Sequence, residues 1–225
     1  LLSDMIPPSL VPLKSIYAAI LETFQMAILG TVLGSLVSVP LSVLAASNIT
    51  PNKFVNMCSR TLIAIARTVP DLVWALFFVI IVGLGPLAGA LTLFVDTIGF
   101  AGRFFAESIE EIDNDPKKAL TAIGATHIGV MFSSVFPLTL PSFINTTLFS
   151  LERAVQSSVL LGFVGAGGIG MLLEEPMTWH NYDQAATVVL IIFFMLYIVE
   201  QISARLRNML FSQTKFRRGR LIELT

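Results

Sequence analysis

Five stretches of this chain are each long and apolar enough to cross a lipid bilayer, and that limits its fold more than any other feature. The hydrocarbon core is about 30 Å thick, and a helix needs roughly 20 residues to cross it. No water is present there to satisfy backbone N–H and C=O groups, so such stretches must be helical or closed into a barrel. These runs lack two-residue alternation, which selects helix. The expected spans are residues 15–46, 55–82, 86–105, 130–161 and 184–203. Pro70 interrupts the second, where it should free a carbonyl and kink the helix. Pro137 and Pro141 fall near the start of the fourth. Gly30 and Gly34 are four residues apart on the first, the small-residue spacing that lets two helices approach closely. The expectation is an all-α membrane protein with one transmembrane domain over residues 1–225. It has five spans, or six if a helix precedes Leu1, since the chain does not begin with methionine.

Composition agrees. Hydrophobic residues make up 55% and charged residues 13%, about half the charged share of a soluble domain. Mean hydropathy is +0.81. The net charge of −1 gives no electrostatic case for nucleic acid. The opening residues lack the basic-then-apolar order of a signal peptide. His127 and His180 lie too far apart for metal-ligand spacing. Cys58, the single cysteine, is expected as a small buried apolar residue.

Orientation follows from lysines and arginines. With the N-terminus outside, the inner side receives Lys53, Arg60, Arg103, Lys117, Lys118, Arg205, Arg207, Lys215, Arg217, Arg218 and Arg220. The outer side receives only Lys14, and Arg67 and Arg153 lie within spans. The C-terminus is therefore expected in the cytoplasm, with the basic tail beside anionic lipid.

The segment GFVGAGGIG, residues 162–170, contains G-x-G-x-x-G at Gly165, Gly167 and Gly170. As a dinucleotide fingerprint it would need a preceding strand and a βαβ unit. Neither is present, and the segment falls at the outer face, whereas nucleotides are cytoplasmic. Backbone that turns without side chains near a bilayer is tolerated where it is buried or lines a cavity. Two readings stay open for the outer segment 162–183: a tight turn after the fourth span, or backbone that lines a cavity.

The longest inner loop carries EEIDNDPKKALTAIGATHIG. Asn114 or Asp115 can cap a short helix. Pro116 suits its first position, and Gly124 suits a left-handed C-terminal cap. A helix of two turns is not stable alone in water. Lys117 and Lys118 sit at the positive end of its dipole, so a partner or lipid surface should compensate. It is either an amphipathic connector or a docking helix for a cytoplasmic protein.

This loop resembles the E-A-A-x3-G-x9-I-x-L-P signature of ABC importer permeases. Ala119 fits the first alanine, Gly124 the glycine and Pro137 the closing proline. Lys118, Leu120, Ser134 and Phe136 depart from the glutamate, second alanine, isoleucine and leucine. GLGPLAGALTLF (83–94), VLLGFVGAGGIG (159–170) and ARLR after the last span are similar to the phosphonate-type branch. The resemblance covers about residues 20–210. It implies a type I ABC importer permease with a methionine-importer-like core. Such a chain sits in the bacterial inner membrane and pairs with a second permease, identical or paralogous. Two cytoplasmic ATPases, which hold ATP and magnesium, and an external binding protein complete it. The chain itself would bind no cofactor and catalyse nothing, and it has no Walker loop.

By the same resemblance, loop 113–127 is the coupling segment, with Asp115, Pro116, Lys117, Lys118, Ala119, Leu120, Gly124 and Ala125 facing the ATPase. Arg67 and Pro70 lie near the translocation path. The family pattern F-E-x-N-V-R-S matches at Glu152 and Ser157, while Gln156 replaces the arginine. Glu152, Arg153, Gln156 and Ser157 are thus candidates for the path, and Gly165, Gly167 and Gly168 for the gate. Charges within spans are functional candidates on physical grounds as well. Glu152 and Arg153 can equally form ion pairs between helices, and Arg67 can sit in a polar gap at a kink. Neighbours on a helix point about 100° apart, so those two need not pair with each other. Glu107 is expected at the inner interface. The implied cargo is a phosphonate, phosphite or hypophosphite. Phosphate or methionine, or a secondary transporter or channel without an ATPase, are the alternatives. No inverted repeat supports the last.

Overall fold

The computed structural model describes residues 13–50, 52–113 and 115–222. Asn114, one of the two cap candidates, lies outside them, as do the side chains of the basic tail. Among the described residues every regular element is a helix. These are α1 (Leu13–Ala45), α2 (Lys53–Thr68), α3 (Asp71–Val82), α4 (Pro86–Glu110), α5 (Asp115–Ala122), α6 (His127–Val130), α7 (Phe136–Gly162), α8 (Met171–Thr178) and α9 (Tyr182–Ile222). A π turn, Met131–Val135, joins α6 to α7 ahead of Pro137.

Among the described residues four spans are individually long and apolar enough to cross a membrane: Lys14–Ala45, Pro86–Glu110, Ile128–Gly162 and Tyr182–Met209. The second expected span differs. Instead of one kinked helix it is two, α2 and α3, bent by 91° at the break before Pro70. The reason is local. Proline disfavours α geometry in the residue before it, and Val69 is extended at φ −75, ψ 124. The helix therefore ends there and restarts at Asp71. At 12 residues α3 is about 18 Å long, so it reaches across a bilayer only together with α2.

Helix α4 is the centre of the bundle, flanked by α1, α2, α3 and α7. The Gly30 and Gly34 spacing on α1 does what the sequence suggested. A Cβ on Gly30 would lie 2.6 Å from Leu93 Cβ, and one on Gly34 2.6 Å from Thr97 Cβ. Among the described residues the two larger apolar cores lie at opposite ends, beside a small cluster of Ala45, Ile63 and Ala106. One, around Met26, Leu93, Val155, Leu161 and Ile169, lies towards the glycine turn. The other, around Ile49, Phe105, Ile109, Met131 and Phe143, lies towards α5. Phe105 and Phe143 stack there with centroids 4.2 Å apart.

Cys58 corrects the sequence reading: it is exposed. It lies on a face of α2 that also exposes Phe54, Met57, Leu62 and Ile65. In a membrane protein an apolar side chain need not seek its own chain's core, because lipid is equally apolar. Helix α8 was not anticipated either, and Pro176 lies inside it.

Candidate functional site

The loop after α4 forms the short helix expected of it. Asp113 Oδ1 accepts the backbone N–H of Asp115 at 3.1 Å, and Pro116 follows in the first turn. At the other end Gly124 takes φ +84. Its N–H donates to Thr121 O at 3.0 Å and that of Ala125 to Leu120 O at 3.0 Å. This pair of bonds is a Schellman cap. The two lysines find partners within the chain. Lys117 Nζ donates to the carbonyl of Asn48, and Lys118 Nζ lies 3.4 Å from the Asp115 carboxylate. Asn48 Nδ2 in turn donates to Ile109 O at 2.9 Å. Arg60 pairs with Glu110, which accepts the N–H of Ser47 at 2.7 Å. The α1–α2 loop thus joins α1, α2, α4 and α5 at one end of the bundle. None of α5 is buried. Just past it, Ile123 is 80% exposed and Ile128 70%. Sequence reasoning did not single out these two; isoleucines in a polar, lysine-bearing loop were the available signal.

Farther along, the span charges are tied between helices. Glu152 and Arg153 do not pair with each other. Glu152 Oε2 accepts from Arg207 Nη1 at 2.8 Å, joining α7 to α9, and Arg207 lies over the Phe149 ring. Arg153 Nη2 donates to Asp96 Oδ1 at 2.8 Å and lies 3.8 Å from Asp71 Oδ1. It also covers the Phe100 ring at 5.0 Å, a favourable placement for a guanidinium. Ser157 Oγ donates to Asp71 Oδ2 at 2.8 Å. One arginine on α7 is therefore shared by carboxylates from α3 and α4. Asp96 was the partner the sequence did not reveal.

Two members of the expected set keep free polar groups. Arg67, in the last turn of α2, borders a cavity of about 420 Å³ with Arg60, Arg103, Glu107 and Glu110. Arg103 pairs with Glu107 at 2.6 Å, whereas Arg67 has no ion-pair partner among the described residues. Gln156 is exposed on α7. Pro70 marks the break between α2 and α3.

At the opposite end the glycine segment is a buried turn. Gly165, Gly167 and Gly168 take φ of +76, +89 and +82. Gly165 closes a second Schellman cap, on α7: its N–H donates to Gly162 O at 3.1 Å and that of Ala166 to Leu161 O at 3.1 Å. Gly85 N–H donates to Gly165 O at 2.8 Å, holding the α3–α4 turn. From α1, Glu22 Oε1 accepts Gly168 N–H at 2.8 Å, and Thr23 Oγ1 accepts Ile169 N–H at 2.8 Å. Side chains would not fit: a Cβ on Gly167 would lie 2.8 Å from Pro86 Cα. Glu22 and Thr23 were not foreseen.

Comparison with known proteins agrees with this architecture. The chain is 34% identical over 207 residues to a phosphate-import permease protein, PhnE, of Mycolicibacterium smegmatis, covering 92% of this chain and 39% of that protein. It therefore spans well under half of that relative's length. It is 34% identical over 208 residues to the phosphite transport system permease protein PtxC of Stutzerimonas stutzeri, covering 92% of this chain and 76% of that one. Among solved structures, an inward-facing methionine ABC transporter chain superposes with a TM-score of 0.74 at 23% identity, covering 86% of this chain and 95% of that one. An amino acid ABC transporter chain superposes at 0.70 with 15% identity, covering 89% and 99%. The fold is that of the type I ABC importer permeases. A family model for the binding-protein-dependent transport system inner membrane component matches residues 38–210. The chain belongs to that family.

Proposed function

We propose that this chain is the membrane-spanning subunit of an ATP-driven importer for a small phosphorus oxyanion. Cargo would pass from an external binding protein across the inner membrane by alternating access. One observation carries the transport-by-ATPase part. Helix α5 is anchored to the bundle through Lys117, yet it buries nothing and leaves Ile123 and Ile128 bare. Ile123 lies in a lysine-bearing loop outside the candidate spans, where an exposed isoleucine suits a docking surface. The oxyanion part rests on the relatives named for phosphate and phosphite.

In this reading the α5 end faces the cytoplasm, as does the C-terminus, and two partner ATPases hold ATP and magnesium there. Asp115–Ala125 meet the ATPase. Glu152 and Arg153 tie the helices that border the path, together with Ser157. Arg67 and Gln156 offer free polar groups to the solute beside a second permease subunit, and Pro70 sets the angle of α2. Gly165, Gly167 and Gly168 belong to the outer mouth. Replacing Ile123 by aspartate tests the docking surface. The chain should co-purify with its ATPase from detergent, and the I123D variant should lose that partner while its own melting temperature is unchanged. Co-purification that survives I123D would contradict the docking assignment.

A further inference from the structure

Glu22 is the acidic residue of α1, whose other strongly polar side chains are Lys14 at its start and Gln25. It is half-buried and has no cation partner among the described residues. A carboxylate in such a place is costly unless hydrogen bonds satisfy it. Here the donor is Gly168 N–H, at 2.8 Å. Three residues on, α8 begins at Met171, and its own N-cap, Gly170, supplies no side-chain acceptor. The first N–H groups of α8 bond back to the carbonyls of Gly168, Ile169 and Gly170, which leaves the N–H groups of Gly168 and Ile169, in the turn ahead of the helix, to Glu22 and Thr23 of α1. Gly167 makes room: a Cβ there would lie 2.7 Å from Glu22 Oε1. The same turn holds the α3–α4 connection through Gly85.

We propose that Glu22 is a positioning residue, a latch that holds the α7–α8 turn against α1 and keeps this end of the bundle closed. The closing role rests on the proposed transport function, in which this end is the outer mouth. The latch is one side chain with rotatable bonds, so it can release the turn without unfolding either helix. Opening then breaks the Glu22–Gly168 bond and frees the turn and the α3–α4 connection together.

The test uses the complete importer in lipid nanodiscs, with Glu22→Ala, Glu22→Gln and Thr23→Val. Amide hydrogen exchange at Gly168 and Ile169 reads the latch directly. Glu22→Ala should raise it about tenfold or more at Gly168, the size expected when a charged acceptor is lost. Glu22→Gln keeps an oxygen acceptor and should stay within about threefold of wild type. Thr23→Val, nearly isosteric, should raise exchange at Ile169 and stands in if Glu22→Ala does not assemble. Glu22→Ala should also raise ATP hydrolysis without binding protein and lower uptake with it. Unchanged exchange in Glu22→Ala, or equal exchange in Glu22→Gln and Glu22→Ala, overturns the latch. Raised exchange with wild-type hydrolysis and uptake overturns the closing role. If wild type itself shows no ATP-dependent uptake, the transport reading fails, and the exchange pattern alone decides the positioning role.

Discussion

At Gly124 the chain asks for a backbone angle and nothing else. No atom lies within 4 Å of a Cβ built there, yet φ is +84. The cost of any replacement is therefore conformational, about 1–2 kcal/mol for most L-residues and less for asparagine. Uptake should fall in the order Gly, Asn, Ala, Val, with ATPase activity less affected. Parallel uptake and hydrolysis assays would show it, and equal uptake in the asparagine and valine variants would count against the cap. Arg153 is a different kind of residue. It is the cation shared by Asp96 and Asp71, so Arg153→Leu leaves two carboxylates without one. Asp96 is buried but Arg153 is 36% exposed, so the cost falls below that of a fully buried pair, at about 1–3 kcal/mol. The variant should melt well below wild type in detergent, and adding Asp96→Asn should recover part of the loss. A Leu variant as stable as wild type would show that the cluster does not hold α3, α4 and α7 together.

Among elements, α1 and α4 approach closely along the glycine face of α1. Gly34 sits where a Cβ would strike Thr97, so Gly34→Leu must push the helices apart. Overpacking costs typically 1–3 kcal/mol, which should lower the thermal midpoint measured by tryptophan fluorescence. A midpoint equal to wild type would mean the helices separate freely. That α1 meets another helix closely was legible from the four-residue glycine spacing; that the other helix is α4 was not. Helix α5 and its glycine end were legible too, because proline and glycine at those places carry a mechanism, whereas the side-chain acceptor ahead of it is Asp113 and not the expected Asp115. The break at Pro70 was legible as a position but not as a 91° angle, since proline fixes one torsion and tertiary packing sets the rest. The glycine turn changed most. Its residues were read as backbone freedom at a mouth, and they prove to be buried against Pro86, Met26 and Thr23 as well. Valines at Gly167 and Gly168 would therefore disturb packing, and the milder changes at Glu22 probe the turn better.

For the whole molecule, hydropathy and the count of spans gave the class, because no other structure satisfies backbone in lipid. Pairings such as Glu152 with Arg207 or Arg153 with Asp96 stayed hidden. They join helices 55 and 57 residues apart, and no local spacing encodes which helices become neighbours. Cys58, on an exposed apolar face, was misjudged for a related reason: burial in a membrane subunit is shared with lipid. The central claim concerns what the assembled machine moves. Proteoliposomes containing this chain, its ATPase and its binding protein should be offered labelled phosphite, phosphate, methylphosphonate and methionine. The account predicts accumulation of at least one phosphorus oxyanion, only with ATP inside and binding protein outside. Accumulation without ATP, or of methionine alone, would contradict it.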